Sequence, residues 1–144
     1  TSCELTELHR SHTGSFNQEM ACTMQQLADA AFLYHEHGDG RALCKLISPV
    51  ESLLVELPSI TIKDGAAAAL SHGAPLARPG VIAAQKGISQ GCTVVLETVK
   101  GEAVSIAQMK VDSDSLGELN SGEVAVAKSV LMESGTYPQS WSKE

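Results

Sequence analysis

The stretch Ser71-His-Gly-Ala-Pro-Leu-Ala-Arg-Pro-Gly-Val81 contains two prolines and two glycines within eleven residues, so the backbone must change direction repeatedly there. Gly73 is predicted to end the alanine-rich helix that precedes it, because glycine readily adopts the left-handed conformation found after helix ends. The segment Arg78-Pro79-Gly80-Val81 has proline at the first corner and glycine at the second corner of a turn. We therefore predict a docking loop here and not a core element.

The side chains in and around this loop are of the kinds that contact nucleic acids. Lys63 lies just before the alanine-rich helix, His72 lies at its end, and Arg78 lies within the loop. Turns also present backbone N–H groups, and such donors combined with basic side chains hold phosphates and base edges. The loop is thus a candidate contact surface for a nucleic acid.

A strand and a helix are predicted immediately before the loop. Ile60 and Ile62 alternate with other residues between Ser59 and Lys63, which indicates a half-buried strand. Asp64 is expected to cap the helix over residues 65–70. Its four consecutive alanines would allow this helix to approach a sheet closely.

The remainder of the chain has the pattern of a small β domain. Turn signals occur at residues 87–91 and at Lys100-Gly101, and the polar insert at residues 112–122 is predicted to be a surface loop. The predicted strand segments are Val81 to Ala84, Thr93 to Thr98, Glu102 to Met109 with Val104 and Ile106 on one face, and Glu123 to Met132 with Val124, Val126, Val130 and Met132 repeating that pattern. They predict an α+β fold built on a small mixed β barrel.

The first part of the chain is predicted to be a strand followed by helices. Residues 4–16 alternate loosely, which favours a strand that lacks its partner strands. Thr23-x-x-Gln26 has the spacing of a capping box, and the helix that it begins should end at Gly38. Its apolar stripe is predicted to be core rather than a ligand pocket and consists of Met24, Leu27, Ala28, Ala31 and Phe32. Two further short helices are predicted, over Arg41 to Ile47 and from Ser48 onward.

Composition argues against several classes of protein. The four cysteines are widely separated and form no Cys-x-x-Cys pair, so we predict reduced thiols and no metal site, although His9, His12, His35 and His37 are present. The pair Asp112-x-Asp114 lacks the bidentate glutamate of an EF-hand. No apolar run approaches the roughly 18–20 residues that span a bilayer, and the start resembles the interior of a longer chain more than a signal peptide.

The net charge of −7 opposes binding to nucleic acid, because phosphate-binding domains normally carry a basic excess. The charge is distributed unevenly, however. Between residues 60 and 101 the local charge is +2, from Lys63, Arg78, Lys86 and Lys100 against Asp64 and Glu97. A basic face on an acidic body can bind RNA through stacking and backbone donors, so we predict weak binding by the isolated chain.

The chain resembles the PUA domain family in its alanine-rich helix and in the loop His72-Gly-Ala-x-Leu-x-x-Pro-Gly-Val81. The resemblance extends to the C-terminal part of the dyskerin-like and archaeal H/ACA RNA-guided pseudouridine synthases of the TruB superfamily. It is carried there by Glu7 to Phe16, Ile62-Lys63-Asp64, Lys100-Gly-Glu-Ala103, Ala107-Gln-Met109 and Tyr137-Pro-x-x-Trp141.

The resemblance implies an architecture and a set of RNA contacts. Residues 59–144 would form the PUA pseudobarrel, residues 23–58 a helical connecting segment, and residues 1–22 a remnant of the last strand of a catalytic domain. The alanine-rich helix would form one wall of the RNA groove. The implied RNA-binding residues are Lys63, His72, Gly73, Ala74, Arg78, Pro79, Gly80, Val81, Tyr137 and Trp141. The two aromatic residues would either stack on bases or close one end of the barrel.

By this resemblance the chain would hold the ACA trinucleotide of an H/ACA guide RNA for uridine-to-pseudouridine modification of rRNA or tRNA. Other core proteins of the ribonucleoprotein would be its partners, with no DNA, membrane or cofactor. The family's catalytic aspartate belongs to a Gly-x-x-Asp-Pro-like motif that this chain lacks, so the chain by itself is predicted to be inactive. Its location would be the nucleolus or nucleus in a eukaryote and the cytoplasm in an archaeon.

Two other functions remain open. The acidic charge also suits a protein-interaction scaffold of a ribonucleoprotein in which RNA contact is residual. The PUA domain of a stand-alone tRNA pseudouridine synthase, of the bacterial tRNA pseudouridine synthase B group, is the third candidate. The Tyr137-Pro-x-x-Trp141 and Lys100-Gly-Glu-Ala103 blocks resemble the eukaryotic and archaeal branch more closely than this bacterial group.

Overall fold

The chain divides into two compact units, residues 1–53 and residues 54–144, which we call the first unit and the second unit. The structure, a computed structural model, describes residues 4–138, so Cys3 and Trp141 lie outside the described residues.

The first unit contains a small hairpin and two helices. Strands β1 (His12–Thr13) and β2 (Phe16–Asn17) pair across a tight turn, and helices α1 (Met24–His37) and α2 (Arg41–Leu46) follow. The prediction of a strand over residues 4–16 is wrong for residues 4–11, which form no strand. A strand is stabilised by a neighbour that satisfies its backbone groups, and the described hairpin provides pairing only at its tip.

Helix α1 begins as the sequence predicts. The Thr23 side chain accepts a hydrogen bond from the backbone N–H of Gln26, and the Gln26 side chain accepts one from the backbone N–H of Thr23 at 2.8 Å. Gly38 ends the helix with a φ of 67° in the left-handed region. The capping box and the glycine stop are therefore confirmed.

The predicted burial of the α1 stripe is wrong. Met24 is 81% exposed and Phe32 is 61% exposed, whereas Ala30 is the buried residue of this helix. Helix α1 packs against α2, and a single neighbouring helix covers only a narrow face. The amphipathic pattern thus gave the correct secondary structure but the wrong degree of burial.

The predicted second helix is confirmed over Arg41–Leu46, but the predicted third helix from Ser48 is wrong. A 3₁₀ turn spans Val50–Leu53 instead, and the amide of Ser52 donates to the carbonyl of Pro49 at 3.0 Å. Pro58 also disfavours a helical backbone at Leu57, so a helix in this segment would have to end before that residue.

The second unit is built on a six-stranded sheet. Its strands in chain order are β3 (Ser59–Ile62), β4 (Leu76–Ala77), β5 (Val81–Ala84), β6 (Thr93–Thr98), β7 (Ala103–Met109) and β8 (Glu123–Val130). Their order across the sheet is β4-β8-β7-β6-β3-β5. Strands β3 and β6 are parallel, and the other neighbouring pairs are antiparallel.

The two edge strands of this sheet, β4 and β5, are consecutive in the chain. The 3₁₀ turn at Arg78–Gly80 is all that separates them. So short a link requires opposite edges of the sheet to lie close together, and the sheet curls into a nearly closed barrel. The prediction of an α+β fold with a small mixed barrel is confirmed, and the Pro-Gly turn lies at the closure point of that barrel.

Helix α3 (Asp64–Ser71) packs on the barrel. Ala67, Ala68 and Leu70 are buried, as are Ile60 and Ile62 of β3. The predicted role of Asp64 is wrong in detail, because Lys63 is the N-cap residue and makes no capping bond through its side chain. The Lys63 carbonyl accepts the Ala67 amide at 3.0 Å, so Asp64 lies one position inside the helix.

A β-bulge changes which residues of β7 face the core. Val104 is fully buried as predicted, but it is the extra residue where the pairing with β6 shifts, so that beyond it Ala107 is buried and Ile106 is only partly buried. An extra residue in one strand reverses the alternation beyond it. On β8, Val124 is buried, whereas Val130 is 40% exposed against expectation.

Candidate nucleic-acid interface

The end of α3 is shaped by Gly73, as the sequence predicts. Gly73 has a φ of 87°, its amide donates to the carbonyl of Leu70 at 2.9 Å, and the amide of Ala74 donates to the carbonyl of Ala69 at 3.1 Å. These two bonds are those of the Schellman motif, which satisfies the last carbonyls of a helix. His72 is exposed at this end, with its Nδ1 2.8 Å from the carbonyl oxygen of Ala68.

The Pro-Gly turn is fixed from two sides. The amide of Val81 donates to the carbonyl of Arg78, which closes the turn, and the amide of Lys63 donates to the carbonyl of Gly80 at 2.9 Å. Gly80 does not have a positive φ, so backbone conformation does not require glycine there. Close packing requires it instead: a Cβ at Gly80 would lie 2.7 Å from the Cβ of Ala66 on α3.

Helix α3 and the loop that follows it enclose an apolar groove, which we call the alanine groove. Its volume is about 540 Å³. Its lining residues are Lys63, Gly65, Ala66, Ala69, Ala74, Pro75, Ala77, Pro79 and Gly80. The walls are therefore made of small side chains, and Lys63 is the charged residue in the lining. The flat face of a nucleobase can approach such walls closely.

The structure distributes the ten predicted RNA-binding residues over several places. Four line the alanine groove: Lys63, Ala74, Pro79 and Gly80. His72 and Gly73 are exposed at the end of α3 but do not line this groove, whereas Arg78 and Val81 line a different cleft. Val81 is only 7% exposed, so its side chain belongs to the core.

The other residues of the groove were not predicted individually from the sequence. Ala66 and Ala69 are partly buried on the groove side of α3, while Ala67, Ala68 and Leu70 face the barrel. The three-residue spacing of Ala66 and Ala69 on one helix face was the available signal. No signal in the sequence pointed individually to Gly65, Pro75 or Ala77.

Arg78 is held by the insert that follows β7. Its Nε donates to the carbonyl oxygen of Leu116 at 2.6 Å, and its amide donates to the carbonyl of Gly122 at 2.9 Å. The side chain is half-buried. Arg78 thus supports the turn in addition to carrying charge, a role that the sequence did not reveal.

The prediction that residues 112–122 form only a surface loop is incomplete. The insert contains a 3₁₀ turn at Ser113–Gly117, and its Leu116 is only 5% exposed within the core. Asp112 accepts the amide of Gln90 at 2.6 Å, and Ser113 exchanges two hydrogen bonds with the backbone of Ile88. The insert therefore braces the turns before and after β5.

Tyr137 packs in the core of the barrel and is 9% exposed. Its hydroxyl donates to the carboxylate of Glu102, and the Nζ of Lys100 lies 5.3 Å from the ring centroid. The hydrogen bond from Tyr137 lowers the pKa of Glu102 below its ordinary value, and burial partly opposes this shift. The hydrogen bond from Thr98 and the positive charge of Lys100 lower the pKa further. This position agrees with the barrel-closing alternative for Tyr137.

Residues 4–138 contain no group of three histidine, cysteine or acidic side chains arranged to hold a metal ion. Cys22, Cys44 and Cys92 are free thiols on the surface. Within the described part of the chain, no helix is both long enough and apolar enough to cross a membrane.

Comparison with protein families gives two matches along the chain. The PUA domain model matches residues 58–131, and the model of the tRNA pseudouridylate synthase B C-terminal domain matches residues 1–55.

Curated relatives agree with these matches. The probable tRNA pseudouridine synthase B of Archaeoglobus fulgidus is 38% identical over 141 residues, which cover 98% of this chain and 43% of that protein. The protein of the same name from Methanopyrus kandleri is 39% identical over 137 residues, which cover 95% of this chain and 40% of that protein. The chain therefore spans less than half the length of these relatives.

Solved structures show the same relationship. The archaeal box H/ACA sRNP Nop10–Cbf5 complex contains a chain that is 32% identical and superposes with a TM-score of 0.85, over 91% of this chain and 42% of that chain. A PUA domain protein from Thermoplasma acidophilum, at 20% identity and a TM-score of 0.52 over 58% of each chain, supports the fold alone. Because the PUA model covers more than half of the chain, this protein belongs to the PUA domain family, with a preceding region related to the C-terminal domain of tRNA pseudouridylate synthase B.

Proposed function

We propose that this chain is the RNA-binding C-terminal portion of an RNA-guided pseudouridine synthase. The observation that carries the proposal is the alanine groove, where small apolar walls from α3 and the Pro-Gly loop meet Lys63 at one rim. In this groove the bases of an unpaired trinucleotide, ACA in an H/ACA guide RNA, would lie against the alanine and proline surfaces. Lys63 would pair with a backbone phosphate.

The role of the groove is to position RNA and not to carry out bond chemistry. Holding the end of a guide RNA fixes where the paired target uridine lies relative to a catalytic domain, so the groove would act through orientation. The chain lacks the aspartate motif of the family, and we propose that it does not isomerise uridine by itself. Incubation with a uridine-containing RNA and a guide should yield no pseudouridine, and its formation by this chain alone would disprove that part of the proposal.

The relatives support partners of the same kind. One similar solved assembly, with a TM-score of 0.84, is an H/ACA RNP bound to a substrate RNA, and another is a Cbf5–Nop10–Gar1 complex. We propose that this chain likewise binds guide RNA within a ribonucleoprotein with further core proteins. The two curated relatives described above are archaeal, which supports a cytoplasmic location.

The assignment of domains to residue ranges is also part of this proposal. Residues 59–144 would be the RNA-binding PUA domain, residues 23–58 a helical connection, and residues 1–22 the end of a catalytic domain. His72 and Gly73, at the end of α3, would contact RNA beyond the groove. Tyr137 would act indirectly, because its ring supports the barrel from within.

Filling the groove tests the proposal. Ala69 is partly buried on the groove wall, so Ala69→Leu places a larger side chain in the path of a base while the fully buried alanines of α3 remain unchanged. Since one stacked base contributes about 1–3 kcal/mol, we expect RNA affinity to fall about tenfold or more. Ala28→Leu, on the exposed face of α1, is the matched control. Equal affinities of the two variants and the wild type for an RNA hairpin ending in ACA would contradict the groove assignment.

A second candidate function is a protein scaffold, and exposed apolar side chains in the first unit favour it. Met24, Phe32 and Leu53 are between 61% and 81% exposed, which is typical of surfaces that a partner covers. Double substitution of Lys63 and Arg78 by alanine separates the two functions. A clear loss of RNA affinity supports RNA binding around the Pro-Gly turn, whereas unchanged RNA affinity with intact partner assembly supports the scaffold.

A further inference from the structure

The Pro-Gly turn has a second concave surface on its other side. While Pro79 and Gly80 line the alanine groove, Arg78 and the strand β5 line a cleft of about 400 Å³ whose opposite wall is the Ser113–Gly117 turn. Lys86 also lines this cleft, which we call the Arg78–Lys86 cleft. A ligand strand that leaves the groove across the Pro-Gly turn would therefore enter this cleft.

The electrostatics of the cleft suit an anion. Arg78 and Lys86 contribute two positive charges, against one carboxylate, that of Asp114. Asp114 itself accepts the amide of Gly87 at 3.4 Å. On a chain with a net charge of −7, a cleft with a net positive lining is a local exception. Such a lining attracts phosphate groups more than it attracts neutral or cationic ligands.

The Arg78 side chain is tethered at the wall of the cleft. Its Nε donates to the carbonyl oxygen of Leu116, and Leu116 is anchored in the core, so the guanidinium is held beside the Ser113–Gly117 turn. A guanidinium has five N–H donors, and this bond involves one of them. Within residues 4–138 the two terminal nitrogens make no hydrogen bond, so they remain a planar pair of donors of the kind that binds phosphate oxygens.

We propose that the Arg78–Lys86 cleft is a phosphate subsite for the RNA strand that continues beyond the alanine groove. The proposal rests on the RNA-binding function proposed above and extends it to a second contact. An acidic peptide added to the edge of β5 is the competing occupant. The Pro-Gly turn borders both the alanine groove and the cleft, and this favours RNA. An RNA strand that is bound in the groove and continues across the turn would reach Arg78 and Lys86 directly.

The test is the salt dependence of RNA binding by the full chain. The probe is a hairpin RNA with a single-stranded 3′ end of several nucleotides that includes ACA, and the variants are Lys86→Ala and, as a matched control, Lys128→Ala on the exposed part of β8. Loss of one phosphate contact makes the slope of log Kobs against log salt shallower by about 0.7 for a single strand. The same relation gives a loss of affinity of about fivefold near 0.1 M salt.

We expect this change for Lys86→Ala and none for Lys128→Ala, with the preference for ACA retained in both variants. If Lys86→Ala behaves like Lys128→Ala while the wild type still prefers ACA, the subsite is wrong and the groove assignment stands. If the wild type shows no preference for ACA at all, the proposed function itself fails. If Lys86→Ala weakens binding of a polyglutamate peptide and leaves RNA binding unchanged, the cleft is a peptide site and the proposal is overturned.

Discussion

Replacing Gly80 by alanine should force α3 and the Pro-Gly turn apart. The new Cβ would lie 2.7 Å from the Cβ of Ala66 and 3.3 Å from a terminal methyl carbon of Leu76. The first of these distances is well inside van der Waals contact. Ala66 has no rotatable side chain, so relief requires movement of the helix backbone. Overpacking of this kind typically costs about 1–3 kcal/mol.

Equilibrium unfolding in urea, followed by circular dichroism, measures this cost. Gly117→Ala is the matched control, because Gly117 has a negative φ and a Cβ added there would meet no atom within 4 Å, so its substitution should change the free energy of unfolding little. RNA affinity should fall in Gly80→Ala as well, since the turn is a wall of the alanine groove.

A double-mutant cycle separates the clash from other effects of the substitution. Ala66→Gly alone should cost about 1 kcal/mol, because glycine is unfavourable inside a helix. Combined with Gly80→Ala, it removes the partner of the clash, so the double variant should be more stable than the sum of the single effects by about 1 kcal/mol or more. Additive single effects, or a Gly80→Ala variant as stable as Gly117→Ala, would show that close packing does not explain this glycine.

Two further predictions concern the barrel. Tyr137→Phe removes the hydrogen bond that lowers the pKa of Glu102, so this pKa should rise toward its ordinary value of 4.5. The lowered pKa of Glu102 stabilises the fold above pH 4.5, and this contribution is lost on acidification. The wild type should therefore lose more stability than the variant between about pH 6 and pH 3. An NMR titration of Glu102 measures the pKa shift. An equal loss of unfolding free energy on acidification in both proteins would contradict the prediction. Ser105→Ala should leave the free energy of unfolding in urea unchanged or raise it by about 1–2 kcal/mol, because the buried Ser105 hydroxyl has no hydrogen-bond partner within residues 4–138. The exposed Ser129→Ala is the control, and a clear loss of stability relative to it would indicate a partner for the Ser105 hydroxyl.

Features that depend on neighbouring residues in the chain could be predicted from the sequence. The capping box at Thr23, the left-handed Gly73 and the alternation of Ile60 and Ile62 all follow from contacts within a few residues. The Lys100-Gly101 turn belongs to the same group, with Gly101 at a φ of 81°. Local backbone preferences decide these features, so most elements of the barrel could be inferred from the sequence. The exception is β4, whose buried Leu76 lies in the stretch that was predicted to be a docking loop and not a core element.

Features that depend on distant parts of the chain could not be predicted. The bond from Arg78 to Leu116 spans 38 residues, and the contact that requires glycine at position 80 joins two separate elements. The sequence suggested a conformational reason for Gly80, whereas the structure shows a packing reason. Likewise, the pattern of α1 gives its helical period but contains no information on how many neighbours cover the Met24 and Phe32 face.

The most direct test of RNA recognition by this chain is its binding to a hairpin RNA ending in ACA, compared at several salt concentrations with the same hairpin carrying a changed trinucleotide. The alanine groove predicts weak but selective binding, with a preference for ACA that is lost in Ala69→Leu and persists as salt is raised, because base contacts are less sensitive to salt than phosphate contacts. Equal binding of both hairpins, or a preference that survives filling of the groove, would contradict RNA recognition by the alanine groove.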